Sequence, residues 1–173
     1  PDTGLIGVAD IITDWRIRSA AGRFPLFAST VEARDAMVQA GLTISGDLDD
    51  LVAQADVVVD ATPKHVAAGN LPRYRAAGVK VVLQGGESHD TTGHSFVAQA
   101  NYDSALGRDM TRVVSCNTTS IVRVLGALQE AGLLARARGS LIRRATDPWG
   151  SQLGGFMHQV VPEPERPTTP VPD

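Results

Sequence analysis

An α/β fold built on a parallel, helix-flanked sheet is predicted for this 173-residue chain. Two features predict it. Short runs of β-branched apolar residues alternate with segments of helical period from residue 5 to about residue 115, and an alternating β-α-β-α order is the pattern of crossover-connected parallel strands. The composition, 43% hydrophobic and 20% charged, is that of a globular domain rather than a disordered one.

LIGVAD (5–10) reads as the first strand, and TDWRIRSAAGR (13–23) as a helix or long loop after it. VEARDAMVQAG (31–41) has helical period and a glycine stop at Gly41. DLDDLVAQA (47–55) opens on carboxylates, which suit the positive end of a helix dipole. VVVDATP (57–63) is apolar enough for a strand buried on both faces. HVAAGNLPRYRAAG (65–78) is the next crossover, weakened as a helix by Gly69 and Pro72, and VKVVLQGG (79–86) is a strand ending in glycines. NYDSALG (101–107) is a short helical piece before the strand TRVVSC (111–116). Beyond it, Ile121, Val124, Leu125 and Leu128 fall on one helix face, with Gly132 as the stop. ARARGSLIRRAT (135–146) alternates basic and apolar residues as a strand does, and the five prolines of PEPERPTTPVP (162–172) predict extended or loop structure.

The totals exclude several functions. A net charge of −3 gives no basic surface for nucleic acid, and no apolar run reaches the roughly 18 residues of a membrane span. One cysteine permits no internal disulfide and fits a reducing, cytoplasmic setting. No pair of histidines or carboxylates has metal-ligand spacing backed by a third group.

The single cysteine, Cys116, is the residue of most chemical interest. It lies where a strand gives way to a helix starting at about Thr118 or Thr119, with Asn117 or Thr118 as the expected cap. At such a junction the helix dipole favours thiolate, the attacking form of a thiol, and backbone N–H groups can stabilise an oxyanion. On spacing alone an inert, buried cysteine is an equal reading.

SCNTT following TRVV resembles the active-site segment of the type II (archaeal-type) glyceraldehyde-3-phosphate dehydrogenases. ADVVVDATP, VVLQGGESHDTTGHSFVAQANYDSALGRD and LIRRATDP resemble further blocks of that family in the same order and spacing. The resemblance implies a cysteine that attacks an aldehyde, NAD or NADP as hydride acceptor, and inorganic phosphate that releases the thioester. It makes Cys116 the nucleophile, sets Ser115 and Asn117 around the phosphorylated aldehyde, and places Gly86 and Arg144 at cofactor contacts. It also implies a homotetramer in the cytoplasm. Each assignment has a plainer rival: Gly85 and Gly86 could close a tight turn, Arg144 could form a surface ion pair, and Asp147 could cap the turn at Pro148.

Asp10 ends a strand where a carboxylate can accept from ribose hydroxyls, which predicts NAD over NADP; a solvated loop aspartate is the alternative. His65, His89, His94 and His158 do not match the family's catalytic histidine, which belongs to a later stretch. His89 and His94 are expected in loop packing or solvent, and His158 in a strand or at an edge.

The resemblance implies a Rossmann-like fold with its first strand and G-x-G-x-x-G phosphate loop absent, because LIGVAD resembles the family's second strand. The missing strand is central, so VVVDA and LIGVAD are expected to border a gap. Residues 1–115 are then an incomplete NAD(P)-binding domain, and 116–173 the beginning of an α+β catalytic domain with a Pro-rich tail. Thr168 and Thr169 stand where the family often has a His-His-Gly element, which alters the expected phosphate site. The leading expectation is an internal fragment of a phosphorylating aldehyde dehydrogenase, inactive alone. A non-catalytic remnant or assembly module, and a related thiol-dependent enzyme acting on another aldehyde, are the competing readings.

Overall fold

The computed structural model describes residues 3–63 and 65–141. It contains two sheets, and every pairing in both is parallel. The chain divides into units of residues 1–134 and 135–173, and both sheets lie in the first.

The smaller sheet is built from β1 (Val8–Asp10), β2 (Leu26–Ala28) and β3 (Gly46–Asp47), in that order. Between them run α1 (Trp15–Ala21), capped by the Asp14 carboxylate, and α2 (Val31–Gln39), capped by Thr30 Oγ1 accepting from Ala33 N–H at 3.1 Å. Gly41, at φ +77°, ends the second helix as its place in the sequence requires. Sequence patterning revealed neither β3 nor the longer β2. β2 is the middle strand, all three residues are buried, and Leu26 and Ala28 join Ile17 and Met37 in one core cluster.

A short α3 (Leu48–Val52) leads out of β3, held by a reciprocal capping box between Asp47 and Asp50. The larger sheet follows, with β4 (Val57–Asp60), β5 (Lys80–Leu83), β6 (Ser95–Phe96) and β7 (Met110–Val113) in the order β4-β5-β7-β6. α4 (Val66–Ala77) stays continuous through Gly69 and Pro72, because Ala67, Leu71 and Tyr74 anchor one face in the larger core with Val79, Val81 and Leu83. Two short pieces, α5 (His89–Thr92) and α6 (Ala98–Ala105), flank β6. The last helix described, α7 (Cys116–Glu130), ends at Gly132 with φ +68°. No helix among the described residues is long and apolar enough to cross a membrane.

Three expectations need correction. β4 is not buried on both faces: Val57 and Val59 are 51% and 61% exposed. Their alternate neighbours Val58 and Asp60 turn inward, because only one face of this edge strand is covered. Residues 135–141 form no strand, since none of the described residues pairs with them; the rest of that predicted strand, 142–146, lies outside the described residues. The cap of α7 is Ser115 rather than Asn117 or Thr118, so helix begins two to three residues earlier than expected.

The predicted gap has its counterpart in the sheet order. β1 bonds only to β2 and β4 only to β5, so each is an edge. Ala9 of β1 and Val58 of β4 nevertheless pack on the same core cluster.

Candidate functional site

Because the strands of each sheet are parallel, their C-terminal ends share one edge, where open α/β sheets bind ligands. In the larger sheet that edge carries the loops after Asp60, Leu83 and Val113.

The loop after β7 presents the cysteine. Ser115 adopts extended geometry (φ −60°, ψ 156°), and its Oγ accepts from Thr118 N–H at 3.2 Å. Its carbonyl accepts the next helical bond from Thr119 N–H at 2.8 Å. Ser, Asn and Thr are all good caps, so composition does not choose among them. The extended backbone at Ser115 does, and it makes Cys116 the first helical residue. The thiol is exposed, which removes the inert-core reading of Cys116. Asn117, the next residue, is half-buried.

The loops after β4 and β5 meet backbone to backbone. A Cβ at Gly85 would lie 1.7 Å from the Thr62 carbonyl oxygen, so glycine is required there by close approach. Gly86 needs glycine for a different reason: its φ is +92°, while the space where a Cβ would stand is open. An uncovered backbone at a sheet's C-terminal edge suits a bound cofactor, so the residues present fit one at this position.

Behind these loops is a buried polar cluster that the sequence did not single out. Asp60 is buried at the end of β4 and accepts from Thr62 N–H (2.9 Å), Thr62 Oγ1, Asn70 Nδ2 (3.2 Å) and the Tyr74 hydroxyl (2.9 Å). Burial pushes its carboxyl pKa up, but the hydrogen bonds from Thr62, Asn70 and Tyr74 outweigh that and hold it below the ordinary value. Tyr74 is shifted well above the phenol range by burial and by the bond to the Asp60 carboxylate. Glu87, 3% exposed, accepts from His65 N–H through Oε1 at 2.7 Å. Among the described non-glycine residues His65 alone has positive φ (+77°). The signal for Glu87 was its place directly after the glycines; its partner, 22 positions earlier, is not readable locally.

Arg112 on β7 donates from Nε to Ser95 Oγ (2.8 Å) and from Nη1 to the Glu87 carbonyl (2.8 Å). His94 is buried rather than solvated: its Nδ1 is 2.7 Å from Thr111 Oγ1 and its Nε2 is 2.9 Å from Ser104 Oγ. Ser104 Oγ already donates to the Asn101 carbonyl, so Nε2 carries the proton and Nδ1 accepts from Thr111. Burial, helped by the charges of Arg108 and His89, lowers the His94 pKa. His89 is exposed and bonds Ser95 Oγ through Nδ1 at 2.9 Å.

Asp10 ends β1, in the other sheet, and its Oδ1 accepts from Ile11 N–H (2.7 Å) and Ile12 N–H (3.4 Å). Ser115, Cys116 and Asn117 are brought together by one helix start, and Gly86 neighbours Glu87, which is bonded to the same strand that leads to them. Arg144, with Arg143, Asp147, His158, Thr168 and Thr169, lies outside the described residues. Among the described residues no group of three or more His, Cys, Asp or Glu side chains could hold a metal ion.

Parallel strands, crossover helices and a cysteine at a strand-to-helix junction define a Rossmann-like α/β chain. Sequence relatives carry the definition further. The chain is 40% identical over 170 residues to the glyceraldehyde-3-phosphate dehydrogenase of Methanothermobacter thermautotrophicus, covering 98% of this chain and 50% of that protein. It is 42% identical over 173 residues to the enzyme of the same name from Pyrococcus abyssi (99% and 51%), and 45% identical over 154 residues to that from Thermococcus kodakarensis (88% and 46%). No family model matches the chain. It is related to the archaeal-type glyceraldehyde-3-phosphate dehydrogenases along nearly its whole length, and it spans about half the length of the curated relatives it matches.

Proposed function

We propose that the full-length protein is a phosphorylating aldehyde dehydrogenase of the glyceraldehyde-3-phosphate type, with Cys116 as its nucleophile. The observation that carries this is an exposed cysteine at the first position of a fifteen-residue helix, in a chain related to dehydrogenases of that name. The Cys116 sulfur attacks the aldehyde carbon, forming a C–S bond and an oxyanion. The Cys116 and Asn117 amides, in the helix turn whose N–H groups lack intrahelical acceptors, are placed to stabilise that charge. Ser115 keeps the helix start in register, and Asn117 contacts the substrate beside it. Gly86 and Arg144 would hold a nicotinamide cofactor, which when bound would take the hydride that leaves the former aldehyde carbon as the oxyanion collapses to the Cys116 thioester. Inorganic phosphate then attacks the Cys116 thioester, breaking the C–S bond and releasing acyl phosphate and the free thiolate.

Asp10 supports NAD as the preferred cofactor, its carboxylate accepting from ribose hydroxyls at the end of β1. A tenfold preference of the full-length enzyme for NADP would refute that. In the same reading, residues 1–115 form the cofactor half and 116–173 open the catalytic half, in a tetramer of the complete protein. The decisive experiment is Cys116→Ser in the full-length protein. Aldehyde oxidation is abolished while cofactor affinity stays within about twofold; retained turnover removes Cys116 from the chemistry.

A further inference from the structure

We infer that Glu87 and Arg112 are a positioning pair, holding the Gly85–Gly86 loop in register with the Cys116 helix. The inference rests on the reading of Cys116 and Gly86 just given, and it adds two residues to that site.

Glu87 is bonded at both ends. Its side chain reaches back to the loop after β4, where Oε1 accepts from His65 N–H at 2.7 Å. Its main-chain carbonyl reaches forward to β7, accepting from Arg112 Nη1 at 2.8 Å. Arg112 in turn donates to Ser95 Oγ on β6 at 2.8 Å. The segment after β4, the start of β6 and the end of β7 are thereby tied to the loop that follows β5. The arrangement has the marks of a constraint. Glu87 is a carboxylate removed from water, a costly placement unless its bonds are made. His65, the residue it holds, takes a left-handed conformation that costs about 1 kcal/mol or more and persists only where its surroundings impose it. Gly85 lies against the Thr62 carbonyl, so the loops after β4 and β5 are in direct backbone contact. Arg112 lies four residues before Cys116, with strand and helix cap between them. A shift of the glycine loop relative to β7 therefore alters the distance between the cofactor loop and the thiol, and a misplacement of about 1 Å can cost a hundredfold in rate.

Glu87→Ala and Arg112→Lys in the full-length enzyme test the pair. Lysine keeps the charge but cannot reach Ser95 Oγ and the Glu87 carbonyl together, as the guanidinium fork does. Both variants are expected to lower kcat for glyceraldehyde 3-phosphate oxidation by about 10- to 100-fold. KM for the aldehyde and the rate of Cys116 alkylation by iodoacetamide stay within threefold. Glu87→Gln, whose amide oxygen still accepts from His65 N–H, recovers most of the loss, and the double variant is no slower than the worse single one. If Glu87→Ala does not fold, Arg112→Lys and the Gln variant carry the test. Values of kcat within twofold of wild type for Glu87→Ala and Arg112→Lys, in an enzyme that Cys116→Ser inactivates, overturn the positioning role alone. A wild-type protein without aldehyde-dependent cofactor reduction overturns the underlying reading as well.

Discussion

Gly85→Ala is the substitution whose cost follows most directly from the geometry. The added Cβ would lie 1.7 Å from the Thr62 carbonyl oxygen and 2.9 Å from its carbonyl carbon, where real Cβ atoms essentially never come within 3.0 Å. The loops must separate by about 1.3 Å (1.7 Å widened to 3.0 Å). Neither loop is free to give. One residue before Gly85, Gln84 N–H bonds the Asp60 carbonyl at 2.8 Å, and Thr62 N–H is held by the Asp60 carboxylate at 2.9 Å. Overpacking costs about 1–3 kcal/mol, and a ladder bond stretched beyond hydrogen-bonding distance about 1 more. The expected loss is therefore about 2–4 kcal/mol. Gly86→Ala is the control: its Cβ meets open space, so only the positive φ is penalised, at about 1–2 kcal/mol. Urea denaturation of both variants in the full-length protein measures the difference. A loss below 0.5 kcal/mol for Gly85→Ala would show that the loops do not touch as described, and would undercut the Glu87 linkage too.

Two further predictions concern pH. The Asp60 carboxyl has a folded pKa below its unfolded value, so its stabilising contribution is fully present above about pH 4 and is lost as pH falls through the folded value. Asp60→Asn should flatten the acid limb of the stability curve, and an unchanged limb in acid titrations followed by circular dichroism would count against it. His94 is also depressed, by burial first, so its neutral form is the one folding favours. Stability should be full above about pH 6.5 and decline as pH falls from there toward the lower folded value. His94→Gln should remove that slope below about pH 6.5, and an equal slope in wild type and variant refutes the assignment.

How much of this was legible depends on the range of each interaction. The capping box of Asp47 and Asp50, the Thr30 cap and the Gly41 stop lie within a few residues of the helices they bound, and sequence reading placed those helices well. β2 escaped because it is only three residues long, between Pro25 and Ser29, too short for a period to show. It is a strand because β1 and β3 supply partners on both sides. The apolar run at Val57–Val59 could not say how many of its faces are covered, since that depends on what packs beside it. Likewise the apolar stripe of α7 is real, yet Ile121 and Val124 stand 47% and 62% exposed.

The sequence by itself determined the parallel α/β class, the strand-to-helix setting of Cys116 and the kinship that block order reveals. Short-range propensity and spacing are written in neighbouring residues. Only the tertiary structure decided that Ser115 is the cap, that Gly85 is demanded by Thr62, and that Glu87 joins His65 to Arg112. Those facts depend on backbone dihedrals and on partners some 22 to 25 positions away, which become neighbours only when the sheet brings their strand ends together.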